Sequence, residues 1–74
     1  MTNIDKLKVG TKGRIAKVVG NSPLTRRLSA LGCIPGIELQ VTGQAPFGDP
    51  IVIQFRGTSM AIRRKDASAI YVEV

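Results

Sequence analysis

The sequence contains no histidine, no tryptophan and only one cysteine, Cys33. Without histidine, neither a Ser/His/Asp nor a Cys/His arrangement can be assembled. A single cysteine forms no disulfide within the chain, which fits a reducing, cytoplasmic setting. Aromatic residues are equally scarce: Phe47, Phe55 and Tyr71 are the full set. So few stacking faces argue against a single-strand nucleic-acid platform and against an aromatic-lined groove for proline-rich peptides. No apolar run nears the roughly 18 residues of a membrane-spanning helix. The opening MTNIDKLKVG has no apolar h-region, so a secretory signal is not expected. Neither GxGxxG nor GxxxxGKS/T occurs, which removes the common phosphate loops. The five acids are dispersed, and no pair falls at a spacing that one strand or helix would bring together. No residue set therefore meets the requirements of a catalytic site, and turnover is not expected.

What is present suits one small domain. Seventy-four residues leave room for a single core, and 43% hydrophobic with 22% charged residues is the balance of a folded, soluble chain. Eleven Lys and Arg give a net charge of +6. That excess implies an acidic partner: nucleic acid, an anionic membrane surface or an acidic protein face.

The first dozen residues are expected to wrap the domain ahead of the first strand. GRIAKVVG (13–20) is β-branched and bounded by glycines, so it reads as a strand. Its inward face is ambiguous, because Ile15 and Val19 alternate with Lys17 while Val18 points the other way; a bulge would resolve this. NSPLTRRLSALG (21–32) reads as the one helix. Ser22 suits the N-cap, Pro23 the first helical position, and Gly32 the left-handed residue that ends it. Leu24, Leu28 and Leu31 make one apolar stripe. IPGI (34–37) reads as a type II turn. Three alternating segments follow, with Ile37, Leu39 and Val41, then Ile51, Ile53 and Phe55, then Met60 and Ile62 facing inward. RGTS (56–59) places Gly57 first in a two-residue type II′ hairpin. RRKDASA (63–69) reads as a polar or single helical turn, and IYVEV (70–74) as the last strand, with Ile70, Val72 and Val74 inward. About five short antiparallel strands with one inserted α-helix predict a mainly-β fold, a small closed barrel without sheet edges.

Metal chemistry finds little support in these residues. Ferrous iron and zinc sites want imidazole, thiolate or clustered carboxylates. Cys33 follows the helix-ending glycine, where it would pack on Leu28 as a small hydrophobe. No metal ligand and no cofactor is assigned, and any ferrous iron binding is expected to be weak.

Two segments stand out as candidates for partner binding. Arg63, Arg64 and Lys65 form a compact cationic cluster suited to an acidic protein surface or to lipid headgroups. QAPFGDP (44–50) joins two strands that a two-residue Asn-Gly turn could join more simply. Pro46 fits the second position of a type I turn and Gly48 the fourth. Asp49, preceding a proline, is pushed toward extended geometry, and Pro50 can open the next strand. The loop is thus fixed in shape and holds Phe47 at its tip, as a docking anchor would be held. Pro46, Phe47, Gly48 and Asp49 are therefore candidate partner-binding residues, together with the cationic cluster.

Three motifs in this order, RRLSALGCIPG, QAPFGDPI and AIRRKDASAIYVEV, resemble the FeoA family, the small bacterial ferrous iron transport protein A. Leu28, Leu31, Gly32, Pro35 and Gly36 match its L-x-x-L-G helix end and P-G turn. Ala45, Pro46, Gly48, Asp49 and Pro50 match its A-P-x-G-D-P loop, and Arg63, Asp66 and Ala67 its closing R-x-x-D/E-A pattern. The similarity runs from about residue 7 to the end; Cys33 departs from the larger aliphatic or Met usual there. The resemblance implies an SH3-like β-barrel, a single FeoA-like domain over residues 1–74. It also implies a cytoplasmic accessory role in ferrous iron uptake, beside a membrane transporter that carries a GTPase domain. Such families often carry a metal-binding label, partly because the same barrel ends iron- and manganese-dependent repressors; the residues here supply no tight site. The alternative reading is a basic SH3-like barrel that binds nucleic acid.

Overall fold

Two bulges and one tight hairpin bend this chain into a barrel. The computed structural model describes residues 1–74, with six strands: β1 (Thr2–Asn3), β2 (Lys12–Val18), β3 (Glu38–Gln44), β4 (Ile51–Phe55), β5 (Thr58–Ile62) and β6 (Ile70–Glu73). They form one antiparallel sheet in the order β1-β6-β2-β3-β4-β5. A 3-10 turn (Ile4–Lys6) and two helices, α1 (Pro23–Ala30) and α2 (Arg64–Ala67), complete the fold. The architecture is the mainly-β, SH3-like barrel with one substantial helix that the sequence predicts.

Alternation supplies the core. Leu39 and Val41 of β3, Ile51, Ile53 and Phe55 of β4, and Ile70 and Val72 of β6 are all buried, with the residues between them turned outward or only half-covered. The ambiguous face of β2 is settled by a bulge: its register against β6 shifts between Ile15 and Lys17. Ile15 is buried as a result, while Val19 falls beyond the strand and is exposed. A second shift, between Val41 and Gly43, bends β3 against β4. Such bulges raise local twist and let a short sheet curl on itself.

Helix α1 is capped as its sequence predicts. The Ser22 hydroxyl accepts from the Thr25 N–H at 3.2 Å, and Pro23 opens the helix. At the other end the Cys33 N–H donates to the Leu28 carbonyl (2.9 Å) and the Gly32 N–H to Ser29 (3.1 Å), with Gly32 at φ +104°. This pair of bonds is a Schellman motif, and it brings buried Cys33 onto buried Leu28.

Several expectations need correction. There are six strands, not five: Thr2 and Asn3 pair with Val72 and Tyr71, a ladder too short to leave a periodic signal. The N-terminal residues also insert fully buried Ile4 into the core. Leu31 lies at the helix cap and is 42% exposed; its expected place on the buried face is taken by Thr25, whose hydroxyl donates to the Ser22 carbonyl at 2.9 Å. Val74, expected inward, lies past the end of β6 and is exposed. The hairpin loop is Arg56-Gly57, not Gly57-Thr58, and both residues have positive φ (50° and 76°), which makes it type I′. Moving that turn one residue forward would set Arg64, rather than Ile62, opposite buried Ile51. Finally, the hydrogen-bonded ladder ends at β1 and β5, which do not pair, so an edge persists where closure was expected.

Candidate functional site

The QAPFGDP segment connects β3 to β4 through a turn closed by its own backbone. The Gly48 N–H donates to the Ala45 carbonyl at 2.7 Å, so Pro46 and Phe47 are the two central residues, as expected. The Ala45 N–H donates to the Pro50 carbonyl at 2.9 Å and closes the loop at its base. Gly48 sits at φ +85°, and the Asp49–Pro50 peptide is cis. Phe47 stands at the tip, 99% exposed. Folding puts no other group against that ring.

The loop is held from outside by Arg64, and here the expectation for the cationic cluster changes. The Arg64 guanidinium does not project freely. Its Nε donates to the Gly48 carbonyl, its Nη1 to the Asp5 carbonyl, and its Nη2 to Gln44 Oε1 at 3.1 Å. Its backbone N–H donates to Asp49 Oδ1 at 3.0 Å, so the carboxylate caps the start of α2. One residue thereby ties the loop, the 3-10 turn and α2 together. Arg64 fixes the shape of the loop, and its charge is spent on neighbours within the chain. Sequence reasoning missed this role, together with those of Gln44 and the Asp5 carbonyl. No local pattern signals a contact between residues 59 positions apart.

Arg63 and Lys65 flank Arg64 and remain exposed. With Asp49 and Pro50 they line a shallow opening at the base of the loop. The two segments singled out from sequence, residues 44–50 and 63–65, therefore meet in one place. Neither Arg63 nor Lys65 has an ion-pair partner, since the one ion pair joins the N-terminal ammonium to Glu73 at 3.9 Å. The site thus offers an apolar ring on a fixed loop with two free cations beside it.

The other candidate features play structural parts. Phe55 is buried, and Tyr71 is half-buried with Lys17 Nζ 4.9 Å from its ring centroid. Phe47 is left as the one fully open aromatic face, whereas single-strand platforms stack several bases in succession. Cys33 is buried, and desolvation pushes its thiol up to about 11. No three His, Cys, Asp or Glu side chains come together anywhere in the fold.

Comparison with known proteins agrees with this architecture. A family model described as the FeoA domain matches residues 2–74. The solution structure of a FeoA protein from Chlorobium tepidum is 33% identical and superposes with a TM-score of 0.90, covering 99% of this chain and 70% of that one. The Stenotrophomonas maltophilia FeoA, solved in complex with zinc and described as a procaryotic SH3 domain protein, is 26% identical with a TM-score of 0.86, covering 99% and 91%. Among curated proteins, a fusion of Fe(2+) transport protein A with the Fe(2+) transporter FeoB from Porphyromonas gingivalis is 28% identical over 71 residues. That match takes in 96% of this chain but only 8% of the fusion protein. With the family model spanning all but the first residue, and 99% of this chain superposing on a solved FeoA protein, this chain belongs to the FeoA domain family.

Proposed function

We propose that this protein is a cytoplasmic accessory or regulatory component of ferrous iron uptake, docking on the cytoplasmic, GTPase-bearing part of the ferrous iron transporter. Phe47 is the anchor of that contact. Pro46, Gly48 and Asp49 give the loop its shape, Arg64 holds it, and Arg63 and Lys65 steer it toward an acidic surface. The observation that carries the reading is a fully exposed phenylalanine on a loop fixed by Arg64. An apolar anchor held in advance loses little entropy on binding, which is what a hot spot requires. The fusion of a relative to FeoB supports the choice of partner, because fused domains commonly act in one place. The role is one of binding, with no turnover of its own on GTP.

Binding to the purified cytoplasmic domain of the transporter, measured by biolayer interferometry, tests the proposal. Phe47→Ala should weaken binding by at least about 1 kcal/mol while moving the melting temperature by only a few degrees. Arg63→Glu combined with Lys65→Glu should slow association and flatten its dependence on salt, since exposed charges are screened beyond roughly 8 Å at physiological ionic strength. Unchanged affinity in Phe47→Ala would remove the loop from the interface. A lysate partner lost on nuclease treatment would favour nucleic acid instead.

A further inference from the structure

The outer edge of β5 is the one long strand edge the fold leaves open. β5 pairs with β4 on one side, and no strand lies on the other. The two-residue loop makes Phe55 and Thr58 the hydrogen-bonded closing pair. Alternation then turns the N–H and C=O groups of Met60 and Ile62 toward β4, and those of Ser59 and Ala61 outward. No turn, loop or side-chain hydrogen bond reaches Ser59 or Ala61, and both residues are exposed. Natural edges are usually blunted by charge, proline or a bulge. Thr58–Ile62 has no charge and no proline, and its register against β4 runs without a shift.

We propose that this edge is a docking surface for an extended peptide strand of a protein partner, added antiparallel to β5. Main-chain bonds to Ser59 and Ala61 supply affinity, and the small outward side chains let a second backbone approach. Charge selects the occupant. The edge is neutral along its length but bounded by exposed Arg56 at one end and by exposed Arg63 and Lys65 at the other. A neutral, β-branched segment with acids at both ends complements that pattern. A second copy of this chain does not, because antiparallel pairing of β5 with itself brings Arg56 of each copy toward the cations of the other. The edge itself excludes the Phe47 loop and does not depend on the transporter as partner, and Arg63 and Lys65 border both surfaces.

The probe is the capped nine-residue peptide Asp-Glu-Val-Thr-Val-Thr-Val-Glu-Asp, titrated into the full ¹⁵N-labelled chain and followed by NMR. Amide exchange at Ser59 and Ala61 should slow at least about tenfold at saturation. The same peptide with lysine at its four acidic positions should bind at least about tenfold more weakly. Ala61→Pro removes an outward donor without touching a β4 bond and should abolish binding. If that variant does not fold, Ser59→Pro makes the same test at the other outward amide. Phe47→Ala should bind the peptide as well as the unsubstituted chain does. Shift changes confined to residues 46–49, equal binding of the lysine peptide, or unaltered exchange at Ser59 and Ala61 would each overturn the proposal. So would protection of those amides by concentration-dependent dimerisation of the chain alone.

Discussion

Replacing Arg64 with alanine removes three side-chain hydrogen bonds at once, and two of them reach backbone carbonyls in separate parts of the chain. Hydrogen bonds from a charged donor are each worth about 1.5–3 kcal/mol. The Gln44 contact is exposed and counts for little. The Gly48 and Asp5 contacts are half-buried, so their carbonyls recover part of the loss from water. A net loss of about 2 kcal/mol follows, or roughly 8–16 °C in melting temperature for a domain of this size. Thermal unfolding by circular dichroism measures it, with Arg63→Ala and Lys65→Ala as controls. Those two exposed cations have no partners to lose and should stay within about 0.5 kcal/mol of the unsubstituted chain. If all three variants melt together, Arg64 does not hold the loop, and the preorganisation argued for Phe47 falls with it.

Two further outcomes concern the core. The Cys33 thiol, pushed up from 9.0 to about 11 by burial, keeps its proton in the folded chain over a range where the unfolded chain loses it. The stability from its neutral form is complete below pH 9 and is lost as the pH rises toward 11. Urea unfolding across that window should therefore cost the natural chain roughly 2–3 kcal/mol more than it costs Cys33→Ala. Equal slopes would place the thiol in water. Gly13→Ala would set its new Cβ 2.9 Å from Val74 Cγ1 and 3.1 Å from the Glu73 carbonyl and Val72 Cβ. The overlap should lower stability by about 1–3 kcal/mol, read as a lower urea midpoint at unchanged slope.

Local chemistry makes much of this fold legible in the sequence. Ser22, Pro23 and Gly32 bound α1 because capping is decided within a few residues of each end. The strands of Leu39–Val41, Ile51–Phe55 and Ile70–Val72 could be read because one face of each is wholly buried. Legibility failed where distant segments decide the outcome. Whether Arg56-Gly57 or Gly57-Thr58 forms the turn depends on which residue must oppose Ile51 across the sheet. β1 is stabilised by β6, some 70 positions away, and two residues carry no period.

The candidate site shows the same division, with a consequence for its charges. Arg63, Arg64 and Lys65 are equivalent as a sequence cluster, yet the fold gives the middle residue a different task. α2 starts directly after β5, and β5 is fixed by its pairing with β4, so Arg64 is carried back over the loop that precedes β4. Its backbone and side chain then find Asp49, Gly48 and Gln44 within reach, while its neighbours point to solvent. A cluster of three therefore acts as one structural cation between two free ones. Reversing all three would confound folding with encounter, whereas Arg63 and Lys65 separate them.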